Sequence, residues 1–402
     1  MFPFSRVSDR TAHRLASVFF FCALGLGLSL AGTWIYINRL TLTLPLPPMP
    51  KPVVYAPPPS ERVSPLLVQY RLDVPGRGEV FPALASASAA DYWPLAILSI
   101  SNSASRAIVQ VVTAEVPGWS RPFRYSAVVG PHATMALRIT PELLASAYAN
   151  HEVAHARLNV VVTDESGATS FARSQPVLIH SGSDLYWGKQ FANAQVIARW
   201  VTPHDPAVLN LVSDAHRFIR NGRMPGYNTN GRQSVSASQA SVAQQVTAQA
   251  EALFKAIQRA GFSYVSSIYT FGGFTDVAQR IRLPRETLTL ESANCMDISV
   301  AFASAIENLD MSPVIVIVPG HAFVGVRLGP ESSDILYLDL TVLPKGTFKQ
   351  AVARAQQWLK KTPPEEVLTV DVASARRMGI YPLPGPVEPQ KNTTSAQSEI
   401  TQ

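Results

Sequence analysis

Three residues able to form a nucleophilic relay, Cys295, His321 and Asp339, follow one another along residues 295–339. They stand in the runs Ser292-Ala293-Asn294-Cys295-Met296-Asp297, Val318-Pro319-Gly320-His321-Ala322-Phe323 and Tyr337-Leu338-Asp339. A thiol becomes a useful nucleophile when something favours its thiolate and something else takes its proton. A helix N-terminus does the first and an imidazole the second. A carboxylate behind the imidazole fixes its tautomer and steadies the imidazolium. The apolar spacing predicts a helix over 295–309 that Cys295 opens, with Ile298, Ala301, Phe302, Ala305, Ile306 and Leu309 on one face. Its first-turn N–H groups would favour thiolate and hold an oxyanion on an attacked carbonyl. His321 begins a strand over 321–328 after a Pro-Gly turn, and 335–340 reads as its antiparallel neighbour. Asp339 then comes near His321, provided that the register does not slip by one residue and turn it away.

These side chains need a frame, and the surrounding pattern supplies one. Residues 313–318 read as a fully apolar strand and 348–361 as a helix. Thr202-Pro203-His204-Asp205 reads as a capping box with proline at the first helical position, opening a helix that runs to about 221. A polar Gly/Ser-rich loop covers 222–239, and a second helix over 241–260 is closed by Gly261. Upstream, 64–180 alternates with period two, and 95–101, 108–115, 133–139, 157–163 and 171–180 read as strands. Asp164-Glu165-Ser166-Gly167 reads as a hairpin turn. The expected fold class is α+β. An all-β sandwich at 65–185 precedes a catalytic domain at 186–383, and a polar, disordered tail occupies 384–402.

A chain of 402 residues has room for two or three domains, and 47% hydrophobic with 15% charged residues excludes a wholly disordered chain. The net charge of +6 is spread over scattered residues with no run of five Lys or Arg, so nucleic acid is not an expected partner. Two cysteines cannot build a disulfide framework, and Cys22 lies in an apolar run, which leaves Cys295 a free thiol. That run, 15–38, carries no charge and is long enough to cross a hydrocarbon core of roughly 30 Å. Arg6, Arg10 and Arg14 precede it, so 1–14 is expected in the cytoplasm and the bulk in the periplasm, held by a single inner-membrane span. A cleaved signal peptide is the competing reading, but Trp34, Tyr36 and Asn38 resemble an interfacial belt and not a cleavage site. Residues 45–65 hold nine prolines, so 39–64 reads as a semi-rigid stalk.

The helix-opening cysteine and the two strands bearing His and then Asp resemble the transglutaminase-like superfamily, whose catalytic core is related to the papain fold. More narrowly, Gln279-Arg280-Ile281-Arg282-Leu283-Pro284, Cys295-Met296-Asp297 and Pro319-Gly320-His321-Ala322-Phe323-Val324-Gly325 look like bacterial membrane-anchored members. So does Trp200-Val201-Thr202-Pro203-His204-Asp205-Pro206, a segment carried between a β-sandwich and the core. The likeness spans about 90–345. It implies Cys295 as nucleophile, His321 as base, Asp339 as orienting acid and Gln279 as an oxyanion or positioning residue. This chain departs from the family in having Ala293-Asn294 where a glycine usually precedes the cysteine. It also has Asp339-Leu340-Thr341 where Glu-Thr-Thr is frequent.

The expected activity is cysteine-dependent acyl transfer on peptide or amide bonds, with peptidase or amidase action preferred over cross-linking, on a protein or peptide substrate of the cell envelope. This chemistry calls for no cofactor and no metal. The alternative is a non-catalytic envelope scaffold that keeps the cleft for binding. Asp297 reads as a helix-dipole residue, and Tyr264 and Tyr269 as aromatic core rather than cleft lining. His151-Glu152-Val153-Ala154-His155 matches the zinc-protease pattern, which needs both histidines on one helical face. The strand pattern from Arg157 onward makes a chain turn the better reading there.

Overall fold

The computed structural model describes residues 60–63, 65–75, 78–85, 94–228, 239–265, 270–271 and 278–384. The expected cytoplasmic segment, the span at 15–38, nearly all of the stalk, the tail beyond 384, Cys22 and Tyr269 lie outside them. Among the described residues no helix is long and apolar enough to cross a membrane.

Period-two burial builds the first half. Its strands are β1 (Ser60–Val63), β2 (Leu66–Leu72), β3 (Glu79–Val80), β4 (Ala96–Asn102) and β5 (Ile108–Glu115). They continue as β6 (Phe123–Val129), β7 (Thr134–Ile139), β8 (Ala154–Asp164) and β9 (Thr169–Ile179). One sheet has the order β1-β2-β4-β7 and the other β3-β9-β8-β5-β6. Alternate residues such as Leu98, Ile100, Val112, Leu158, Val160 and Phe171 turn into one shared core. Four strands, β1, β2, β3 and β6, go beyond the sequence expectation. In β6 only Ala127 and Val129 are buried, which leaves almost no alternation to read. The H-E-x-x-H segment is not helical: His155 lies in β8 opposite Leu178, so the two histidines share no helical face.

The second half is mixed α+β. Its helices are α1 (Pro206–Ala215), α2 (Gln239–Arg259), α3 (Pro284–Leu290), α4 (Cys295–Asn308), α5 (Phe348–Lys361) and α6 (Val372–Arg377). Its short strands are β10 (Asp184–Tyr186), β11 (Ser263–Tyr264), β12 (Thr270–Phe271), β13 (Ala278–Arg280) and β14 (Ser292–Ala293). The longer ones are β15 (Pro313–Val318), β16 (His321–Arg327), β17 (Ile335–Leu338) and β18 (Leu368–Asp371). The last four form an antiparallel sheet in the order β17-β16-β15-β18. One face, through Ile315, Ile317, Ala322 and Val324, joins the core around α4. The other, through Val314, Val316, Val318 and Phe323, packs on Ala355 and Trp358 of α5. Two covered faces explain why β15 is apolar at every position.

Two local expectations are corrected. The cap of α1 is Asp205, whose side chain accepts from Ala207 N at 3.0 Å, with Pro206 at the first helical position. Asp205-Pro206 carries the same signature as the earlier Thr202-Pro203 and wins because it abuts the apolar periodicity. Nor is α4 amphipathic, since every residue from Met296 to Ile306 is buried. Its alanines and serines let neighbours approach closely, and Ser304 Oγ accepts from Thr202 N at 2.9 Å and donates to Val300 O at 2.8 Å, so its hydroxyl is satisfied without water.

Candidate active site

Local capping chemistry places Cys295. Asn294, in extended conformation, caps α4 by accepting from Met296 N and Asp297 N, both at 2.9 Å. Asp297 completes the capping box and accepts from Arg282 N at 3.0 Å, tying the chain before α3 to the start of α4. Burial raises the Asp297 carboxyl above its ordinary range, while the backbone donors of Arg282 and Asn294 pull it back. The expectation that the first-turn N–H groups hold an oxyanion therefore narrows. Met296 N and Asp297 N serve the cap, while no hydrogen bond among the described residues takes the Cys295 N–H. Cys295 itself is half-buried and free.

A tight hairpin places His321. Val318 pairs with His321 across a two-residue turn in which Gly320 holds φ at +72°. Pro319 followed by a residue of positive φ makes a type II turn, which wants glycine at that second position. Register places Asp339. Leu338 lies opposite Val324 and Tyr337 opposite Gly325, so Asp339 follows directly beyond the last pair. It falls on the face that His321 shares with Phe323, as a diagonal neighbour. His321 Nε2 and Asp339 Oδ2 are 3.0 Å apart. The register has not slipped.

Asp339 is fully buried, and four hydrogen-bond donors and one ion-pair partner surround it. Thr341 donates to Oδ1 through N (3.1 Å) and Oγ1 (2.7 Å). His321 Nε2, the Trp358 indole N–H (3.2 Å) and Arg354 Nε (3.1 Å) converge on Oδ2. Burial raises the carboxyl, but the donors outweigh it and hold Asp339 below its ordinary value. The His321 ring stacks on Trp358 with centroids 4.7 Å apart and planes 29° apart. Burial alone would lower the imidazole; hydrogen bonds to Asp339 and to Cys295 instead raise it to about 9. With Nε2 given to Asp339, Nδ1 is the ring nitrogen left for the thiol. This arrangement favours the imidazolium form of His321.

Sequence reasoning missed three neighbours. Trp358 and Arg354 sit one turn apart on α5 and reach Asp339 together, a pairing that their i, i+4 spacing could have flagged. Tyr264, expected in the core, is 40% exposed and close enough to Cys295 to feel its charge. A short parallel pairing, Tyr264 opposite Ala293, brings it beside the residues that lead into α4. Burial, then the charges of Cys295 and Asp339, raise its phenol above the usual tyrosine value. Gln279 lies in β13, between β10 and β12, and accepts from the Trp187 indole at 3.2 Å. No hydrogen bond or ion pair among the described residues joins it to Cys295, His321 or Asp339.

No family model matches the sequence, and no curated protein sequence does. Among solved structures, the crystal structure of a FixG-related protein from Vibrio parahaemolyticus aligns at 12% identity, over 30% of this chain and 98% of that one, with a TM-score of 0.18. A superposition that slight carries no argument about fold or function.

Proposed function

We propose that this chain is a cysteine-dependent acyl-transfer enzyme with a transglutaminase-like, papain-related core, acting on peptide or amide bonds in the cell envelope. One observation carries the proposal. The thiol at the start of α4 lies close enough to the His321 imidazole to raise it, and that ring is held through Nε2 by a buried carboxylate at 3.0 Å.

The Cys295 thiolate attacks the substrate carbonyl carbon, and the carbonyl π pair moves onto oxygen. The Cys295 N–H and the Tyr264 hydroxyl are the donors beside the sulfur for that oxyanion. As the tetrahedral intermediate collapses, the carbon–nitrogen bond breaks and the His321 imidazolium gives its proton to the departing amine. A thioester on Cys295 remains. Neutral His321 then takes a proton from water, which attacks the thioester, releases a carboxylic acid and restores the thiol–imidazole pair. An amine in place of water makes a new amide. Hydrolysis is the preferred outcome, in line with the protease-like bacterial proteins that the motifs resemble. Asp339 holds the ring, and Trp358 supports both partners.

The charge-free apolar run at 15–38, with Arg6, Arg10 and Arg14 before it, supports an inner-membrane anchor with the catalytic part in the periplasm. The test is alkylation of Cys295 in the detergent-solubilised full chain by iodoacetamide across pH, beside His321→Ala. Rapid labelling at neutral pH that drops by about tenfold or more in the variant supports the proposal. Slow labelling that ignores His321 overturns it and favours a binding role.

A further inference from the structure

Residues 340–364 contain five lysines and arginines and no aspartate or glutamate. Lys345, Lys349, Arg354, Lys360 and Lys361 are all exposed. Between the turn at 340–346 and α5 lies an open groove of about 640 Å³, and its only ionisable lining residues are Lys345 and Arg354. Protein surfaces ordinarily intersperse charges of both signs, so an open groove with one sign alone marks a place for the opposite charge.

The groove shares its wall with the site. Thr341 and Arg354 line it, and both hold Asp339. Arg354 pairs with Asp339 through its Nε edge, and among the described residues no other contact takes its guanidinium, whose side chain is 54% exposed. A guanidinium anchored by Nε still presents its Nη groups, and such an edge matches a carboxylate. Lys345 adds a second cation, and Gln357 a neutral amide. Arg354 reaches Asp339 at 3.1 Å and Asp339 holds His321 at 3.0 Å, so the cationic end of the groove is joined to the imidazole through one carboxylate.

We infer that this groove is a subsite for a carboxylate on the substrate, so that the chain prefers acidic peptides over neutral or basic ones. The inference rests on the acyl-transfer role proposed for Cys295. The carboxylate belongs to an acidic side chain or to a peptide C-terminus, two sources with the same chemistry.

The experiment measures alkylation of Cys295 in the full chain by iodoacetate and by iodoacetamide, followed by mass analysis and scaled to free cysteine. The anionic reagent is expected to be favoured about tenfold at low salt, with the preference fading as salt screens it. Lys345→Gln and Arg354→Gln should each shrink the preference, and Arg354→Lys should restore part of it. Three blocked tripeptides compete for the groove: one with a central glutamate, its glutamine counterpart, and that counterpart with a free C-terminus. Protection by the first or third, and not the second, supports the subsite and tells the two sources apart. Equal relative rates in wild type and Lys345→Gln, with iodoacetamide labelling still dependent on His321, overturn the subsite and leave the thiol's role standing. If labelling ignores His321, the acyl-transfer reading falls, and fluorescence anisotropy of the glutamate peptide decides the groove alone. Binding weakened by Lys345→Gln supports the subsite, and no binding overturns it. Slowing of iodoacetate by added phosphatidylglycerol, with no effect of any peptide, assigns the basic face to lipid and also overturns it.

Discussion

Trp358 lies against His321, with ring centroids 4.7 Å apart, and its indole N–H reaches the same Asp339 oxygen that holds the imidazole. One residue of α5 therefore supports both members of the hydrogen-bonded pair on the neighbouring strands. Trp358→Phe keeps a ring against the imidazole and removes the donor to a buried carboxylate, a bond worth about 1.5–3 kcal/mol. The expected outcome is a loss of folding stability in that range and alkylation of Cys295 slowed by about tenfold. Denaturant midpoints and iodoacetamide rates check the two effects, and an unchanged rate would separate Trp358 from the site's chemistry.

The raised His321 value sets a pH window. Its ordinary value is 6.5 and the folded protein holds it near 9, so the folded chain binds the proton more tightly than the unfolded one. That contribution to stability is present in full below about 6.5 and is lost as pH rises toward 9, and it amounts to something on the order of 3 kcal/mol. Asp339 runs the other way: its lowered carboxyl stabilises the fold above its ordinary value of 3.8, and the gain is lost as pH falls through the folded value. Unfolding free energies of wild type and His321→Gln, measured from pH 5 to 10, should converge toward the alkaline end. Parallel curves would contradict the assignment.

Asn294 caps α4 immediately before the thiol, so charge can be changed there without loss of the cap. Aspartate caps as well as asparagine, but it sets a negative charge beside the sulfur and opposes the thiolate. Asn294→Asp keeps the cap but sets a second carboxylate in the buried capping box beside Asp297, so it is expected to cost about 1–3 kcal/mol and to alkylate several-fold more slowly at pH 7. Asn294→Ala is expected to cost about 1 kcal/mol. Thermal midpoints beside labelling rates distinguish loss of the cap from change of charge.

Tyr264 separates two reactions of one sulfur. Alkylation by iodoacetamide is a displacement with no oxyanion, whereas acylation by p-nitrophenyl acetate passes through a tetrahedral oxyanion that needs a donor. Tyr264→Phe is expected to leave alkylation within about threefold and to cut acylation by about a hundredfold. Equal effects on both reagents would assign Tyr264 to tuning the thiol and not to holding the oxyanion.

What the chain reveals by itself follows how local each cause is. Helices α4 and α5, strand β15 and the order of Cys295, His321 and Asp339 were legible because periodicity, a cap and a Pro-Gly turn are written in adjacent residues. Strands β10 and β13 have three residues each and exist through pairing with each other across ninety-odd positions, which leaves no local pattern. The approach of Arg354 and Trp358 to Asp339 depends on how α5 lies across the sheet, and Tyr264 arrives through a two-residue parallel pairing. The misplaced cap of α1 has a different origin, since Thr202-Pro203 and Asp205-Pro206 offered the same signal twice.

The sheet that carries His321 is completed by β18, and the donors that hold Asp339 come partly from α5, both of them well downstream of the thiol. On a chain still being made, Cys295 emerges some seventy residues before β18 can pair with β15. Until then the sulfur has neither a finished sheet beside it nor a fully braced imidazole. The proposed reactive centre is thus among the last features to mature during biosynthesis, and on that proposal a prematurely terminated chain carries an ordinary cysteine.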